Sequence, residues 1–153
     1  VGSDEPRKRL AFLDMILDGL ADDVREDVHL TRVGADVRLT DEELIAAYQH
    51  CEALLFPSAA EGFGLPVLEA MAAGCPVLAS DLPAHNEVAA EGRLLPADDA
   101  DAWRAAISEL HSTWKTRGGL PRPPDEEALA QAAEFSLGAW SEHLGDAWSE
   151  LLE

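Results

Sequence analysis

A chain of 153 residues with a formal net charge of −19, 47% hydrophobic and 27% charged, is sized for one globular domain that buries roughly two-thirds of its unfolded surface. Such acidity speaks against nucleic acid and anionic membrane surfaces as partners, because both would repel it. No apolar run reaches the length of a transmembrane segment and no signal peptide opens the chain, so a cytoplasmic location is expected; a start at Val1 rather than Met is what an excised piece of a longer protein would show.

In chain order, Val1 and Gly2 read as the end of a strand. Pro6 is followed by Arg7, Lys8 and Arg9, then by Leu10, Leu13, Leu17 and Leu20 at helical spacing. Residues 28–34 (VHLTRVG) alternate apolar and polar, which predicts a strand. Thr40 and Glu43 form a capping box for the helix DEELIAAYQHC, whose core side carries Leu44, Ile45 and Tyr48. Cys51 and Cys75 stand in apolar surroundings without a CxxC pattern or a ligand-spaced histidine. They are expected as buried free thiols in a reducing compartment.

The centre of the chain is the block 61–77, EGFGLPVLEAMAAGCPV, between ALLFPS (53–58) and PVLAS (76–80). The flanking apolar runs suit strands buried on both faces. Gly62 and Gly64 lack a Cβ, so the loop they occupy can bring its backbone close to a ligand. Pro66 suits the first helical position, the helix runs through Ala73, and Gly74 is the left-handed stop before the second strand. Two parallel strands joined by a helix make a crossover unit, and ligands of such sheets collect at the carboxyl ends of the strands. Val67, Leu68 and Met71 take the sheet-facing side; Glu69 takes the other and points to the cleft. The amides of Gly64 and Leu65 at the helix start favour an anion such as a phosphate. A carboxylate beside that anion would repel it, so Glu69 is better suited to accept hydrogen bonds from sugar hydroxyls.

Farther on, residues 83–90 read as a turn and short helix containing Asn86, Glu87 and Val88. Asp98 or Asp99 caps a helix with Trp103, Ala106, Ile107, Leu110 and Trp114 on one face, and these tryptophans read as core rather than sugar platforms. RGGLPRPP (117–124) is a linker, followed by a helix over 125–134, the pair Phe135-Ser136, and a last helix with Leu137, Trp140, Leu144, Trp148 and Leu151 on one stripe. The five histidines are scattered without ligand spacing, so no metal site is assigned and no cofactor is expected.

Glu61 and Glu69, separated by seven residues, resemble the E-x7-E signature of retaining GT-B glycosyltransferases that use nucleotide-sugar donors. The flanks agree: TDEELIAAY and FPS before the block, then NEV, LLPADD and FS after it. The resemblance runs from about Gly2 to the C-terminus. It implies a doubly wound, Rossmann-like parallel α/β sheet, the donor-binding half of a GT-B fold, as a single domain over 1–153 with C-terminal helices over 125–153. It also implies transfer of a sugar from a nucleotide-diphosphate donor with retained configuration.

By that resemblance Lys8 clamps the donor diphosphate, together with the amides of Gly64 and Leu65. Glu69 holds ribose hydroxyls. Glu61, with the backbone of Gly62, Phe63 and Gly64, orients the donor sugar and carries the catalytic role. Relatives of this kind often have an Arg where Ser3 stands, and a longer connection where only 35–39 remains; residues 37–39 would border the base. Glu87 lies near the ribose side or caps a helix. The acceptor site would belong to an N-terminal domain absent from this sequence, the last helix would dock on that domain or on its own, and the isolated chain should not transfer sugar. The rival reading is a non-catalytic binding or assembly module of the same fold, to which Ser3 and the short connection point. A nucleotide-sugar epimerase of the same architecture fits the E-x7-E block less well.

Overall fold

Three parallel strands, β1 (Leu54–Phe56), β2 (Val77–Ser80) and β3 (Leu94–Leu95), lie in the order β1-β2-β3 in the computed structural model, which describes residues 5–89, 93–136 and 138–139. Leu54 pairs with Val77 and Phe56 with Ala79, and Ala79 in turn pairs with Leu94. Around this sheet lie α1 (Leu10–Asp18), α2 (Asp22–Asp27), α3 (Asp41–His50), α4 (Leu65–Ala72), α5 (Pro83–Asn86), α6 (Ala100–Thr116) and α7 (Glu126–Ala133).

The alternation of side chains along a strand divides the core in two. Leu54, Phe56, Val77 and Ala79 join Tyr48, Val67, Ala70 and Met71 in one apolar cluster, covered by α3, α4 and α7. Leu55, Leu78 and Leu95 face the other way, onto Leu13, Ile16, Leu17, Trp103 and Ile107 of α1 and α6. Helices on both faces of a parallel sheet make this a Rossmann-like α/β fold, as expected, and explain why the strands are almost wholly apolar, Ser80 at the end of β2 excepted. Val67 and Met71 are fully buried against the sheet, a contribution of about 1.5–3 kcal/mol each.

The local punctuation follows the sequence closely. Thr40 and Glu43 bond reciprocally, Thr40 N–H to Glu43 Oε2 at 2.8 Å and Glu43 N–H to Thr40 Oγ1 at 3.3 Å. Asp99, not Asp98, caps α6 by accepting from the amides of Asp101 and Ala102, because Asp98 is drawn to Arg9. Asp125 caps α7, and Gly74 is left-handed at φ 70° after α4. Helix α4 begins one residue earlier than expected, at Leu65, with Gly64 as its N-cap.

Two expectations need correction. Residues 28–34 form no ladder; a single bridge joins Val33 to Val37 across a tight turn. Alternation alone yields a half-buried extended segment, and a strand also needs a paired neighbour along its length. Val28 and Leu30 pack into the α1/α6 cluster instead, and Arg32 pairs with Asp14. Ile45 is 51% exposed rather than core: Leu44 and Tyr48 share one stripe of α3, and Ile45 is rotated off it. The 117–124 stretch is irregular, as expected, but it is tied down. Arg122 donates to the carbonyls of Tyr48, Cys51 and Gly74, so it closes the ends of both α3 and α4. The start of the chain and the C-terminal stripe from Leu137 lie outside the described residues.

Candidate functional site

The turn before α1 and the loop after β1 meet at the carboxyl end of the sheet. Pro6 to Lys8 form one 3₁₀ turn, ended by Arg9 in the left-handed conformation at φ 56°. Arg9 is the single non-glycine residue with positive φ among the described residues, and it is held there by Ala97 O, the Asp98 carboxylate and a stack on Phe12. A hydrogen bond from Ala59 N–H to Arg7 O, at 2.8 Å, joins this turn to the loop after β1. Lys8 is thereby brought inward until its Nζ lies 4.4 Å from the centre of the Phe56 ring.

Glu61 receives three donors there. Lys8 Nζ donates to Oε1 at 2.6 Å, Ser58 Oγ to the same oxygen at 2.7 Å, and Arg7 Nη1 to Oε2 at 2.8 Å. The Glu61 side chain is 7% exposed and that of Lys8 9%. Burial by itself would raise the Glu61 carboxyl. The hydrogen bonds from Lys8 and Ser58, with the charges of Lys8 and Arg7, outweigh it and hold the group below the usual carboxylate range. Sequence reasoning named Lys8 and Glu61 but not their contact, and it missed Ser58 and Arg7. Arg7 supplies a second cation beside Lys8. Its signal was its position, one residue before Lys8.

Glu69 stands apart, exposed on α4, and no hydrogen bond or ion pair links it to Glu61. On the neighbouring helix α3, the hydroxyl of Tyr48 is buried without a hydrogen-bond partner among the described residues. Burial, then the charge of Glu69, pushes ionisation of Tyr48 up.

Gly64 opens α4 at φ 81°, so the amide of Leu65 has no partner one turn back. A Cβ on Gly64 would come within 3.0 Å of His85 Cδ2, whereas one on Gly62 would meet nothing within 4 Å. Gly62 is thus not demanded by the protein's own packing. Phe63 is 42% exposed and meets Phe135 edge-on, and Leu65 is exposed. His85, one of the scattered histidines, is fully buried behind this loop; its Nδ1 bonds Ser80 O at 2.6 Å and its Nε2 has no partner among the described residues. Glu87 is exposed at the C-terminal end of α5, where a carboxylate gains nothing from the helix dipole. Val37 is exposed at its turn. Trp103 is core, buried and edge-on to Phe12, as its spacing implied.

A separate, mainly apolar cavity of about 520 Å3 lies between residues 27–35 and β1, walled also by α1, α3 and α6. Lys8 reaches its rim, but neither Glu61 nor Glu69 lines it.

A family model described as Glycosyl transferases group 1 matches residues 2–113. The O-antigen chain mannosyltransferase RfbU of Salmonella typhimurium is 44% identical over 69 residues, 44% of this chain and 20% of that protein. A serotype-specific mannosyltransferase WbdA of Escherichia coli is 36% identical over 117 residues, 75% of this chain and 14% of that protein. The phosphatidyl-myo-inositol mannosyltransferase of Mycolicibacterium smegmatis is 33% identical over 141 residues, 76% of this chain and 36% of that protein. The chain therefore spans only a minor part of each of these relatives.

Proposed function

The chain belongs to the glycosyl transferases group 1 family, and on that premise we propose that it is the nucleotide-sugar-binding half of a retaining glycosyltransferase. The observation that carries the reading is the meeting of Lys8, Arg7 and Glu61 beside the start of α4. Two cations bonded to the loop that leads into an open helix N-terminus favour a diphosphate, which Lys8 and the amides of Gly64 and Leu65 would bind. Glu69, exposed one turn along α4, would accept from ribose hydroxyls. Glu61 would exchange part of its internal clamp for the donor sugar and, with the backbone of Gly62 to Gly64, hold it while the glycosidic bond breaks. No water-activating acid pair is assigned, so the two glutamates are not a hydrolase dyad.

The acceptor would sit on polypeptide beyond this chain, in the part of the relatives that it does not span. Those relatives are named mannosyltransferases, which makes a nucleoside diphosphate-mannose the first donor to test. The competing reading, a binding module without chemistry, draws on the same clamp, because both Glu61 oxygens are already occupied. Titration calorimetry with nucleoside diphosphates and their mannose conjugates tests the proposal. Binding of at least one is expected, and binding of none would overturn it. Sugar transfer by a two-domain protein carrying this chain, abolished by Glu61→Ala, would exclude the module.

A further inference from the structure

Cys51 and Cys75, 24 positions apart, bring their sulfurs to 3.3 Å. Cys51 follows α3 directly and Cys75 lies between α4 and β2. A covalent S–S bond is about 2.05 Å long, so a gap of roughly 1.3 Å remains between atoms that already face one another. The backbone around both is clamped by one side chain: Arg122 donates to Cys51 O at 2.7 Å and to Gly74 O at 2.6 Å. The two thiols differ in access. Cys75 is fully buried, whereas Cys51 is half-buried and lines the 520 Å3 cavity.

From this arrangement we propose that Cys51 and Cys75 are a redox-modification site, a dithiol that a low-molecular-weight disulfide converts to an intramolecular disulfide. The Cys51 thiolate attacks one sulfur of the small disulfide, forming a mixed disulfide and releasing one small thiolate. The Cys75 thiol then loses its proton and attacks Cys51 Sγ, forming the Cys51–Cys75 bond and releasing the second small thiolate. Two electrons pass from the protein to the small disulfide, and a reducing thiol reverses the sequence. The division of labour follows the environments: the hydrogen bond shared with Cys75, aided by the Arg122 charge against the cost of burial, lowers Cys51 to about 7. Cys75, which shares that bond and is buried, is pushed up. Cys51 is the attacking group and Cys75 the resolving one.

The ring so closed contains β1, the Glu61 loop and α4 with Glu69, all of the candidate site except Lys8 and Arg7. Oxidation would tie the end of α3 to the turn after α4. The proposal requires nothing of the sugar-transfer reading.

The test is to incubate the chain with oxidised glutathione at neutral pH, quench with acid, and read intact mass and a non-reducing peptide map. The expected product is lighter by two hydrogens, links the Cys51 and Cys75 peptides, and returns to starting mass with reductant. Cys75→Ser should stop at a stable glutathione adduct on Cys51. Cys51→Ser should react roughly tenfold more slowly, because the remaining thiol is buried and inert. Two free thiols persisting in the wild-type chain, a lasting mixed disulfide on it, or undiminished reaction of Cys51→Ser would each overturn the proposal.

Discussion

Lys8 Nζ and Glu61 Oε1 are 2.6 Å apart although 53 positions separate them, and both side chains are almost fully enclosed. Glu61 is the more constrained partner, since Arg7 and Ser58 also donate to it. Replacing Lys8 by Met keeps the stem over Phe56 but leaves a buried carboxylate with two of its three donors. Such a loss should cost about 2 kcal/mol at neutral pH, within the range for a charged hydrogen bond. Glu61 is held below its unfolded value, so the stability it contributes is present above the ordinary carboxylate pKa and disappears as pH falls through the lower, folded one. Urea unfolding of wild type and Lys8→Met should therefore differ at pH 7 and converge in acid. A pH-independent difference would contradict this account.

The two glutamates should separate in binding. Glu69→Ala removes a carboxylate proposed to hold ribose hydroxyls, worth roughly 1.5 to 3 kcal/mol, or about ten- to a hundredfold in affinity for a nucleoside diphosphate. Glu61→Ala should bind that ligand no more weakly, because the ligand lacks the sugar and because the change releases Lys8 and Arg7. Calorimetric titration of both variants distinguishes the roles, and equal losses would defeat the assignment.

The glycines of the loop should separate in stability. Gly64→Ala adds a methyl at φ 81°, strained by roughly 1–2 kcal/mol, and presses it to within 3.0 Å of the buried His85 ring. A total loss of about 2–3 kcal/mol is expected in a denaturation curve. Gly62→Ala enters open space and should stay within about 0.5 kcal/mol of wild type, while weakening the donor if its sugar approaches that backbone. A stability cost at Gly62 equal to that at Gly64 would show that the loop packs otherwise.

The reactivity of Cys51 should rise with pH through about 7, not through the range of an ordinary thiol, because the thiolate is the nucleophile. Rates of alkylation by iodoacetamide, followed by mass, measure this midpoint. Arg122→Met removes the neighbouring charge and the clamp on the Cys51 and Gly74 carbonyls, so the midpoint should move upward. A midpoint unchanged by that substitution would separate Arg122 from the thiol.

What the sequence by itself determined was whatever depends on near neighbours in the chain. The capping box of Thr40 and Glu43, the left-handed Gly74, and the apolar strands around Leu54 and Val77 are each decided within a few residues. The spacing of Glu61 and Glu69 was equally legible, because a motif is a local pattern. Only the tertiary structure could decide which distant groups meet. It joined Lys8 and Arg7 to Glu61, set Cys51 against Cys75, put Arg122 across the ends of α3 and α4, and buried His85 behind Gly64. It also left residues 28–34 without a ladder, since alternation specifies the faces of an extended segment but not the neighbour that would pair with it. Contacts of that kind arise from the packing of helices on both faces of the sheet, and no stretch of a few residues encodes them alone.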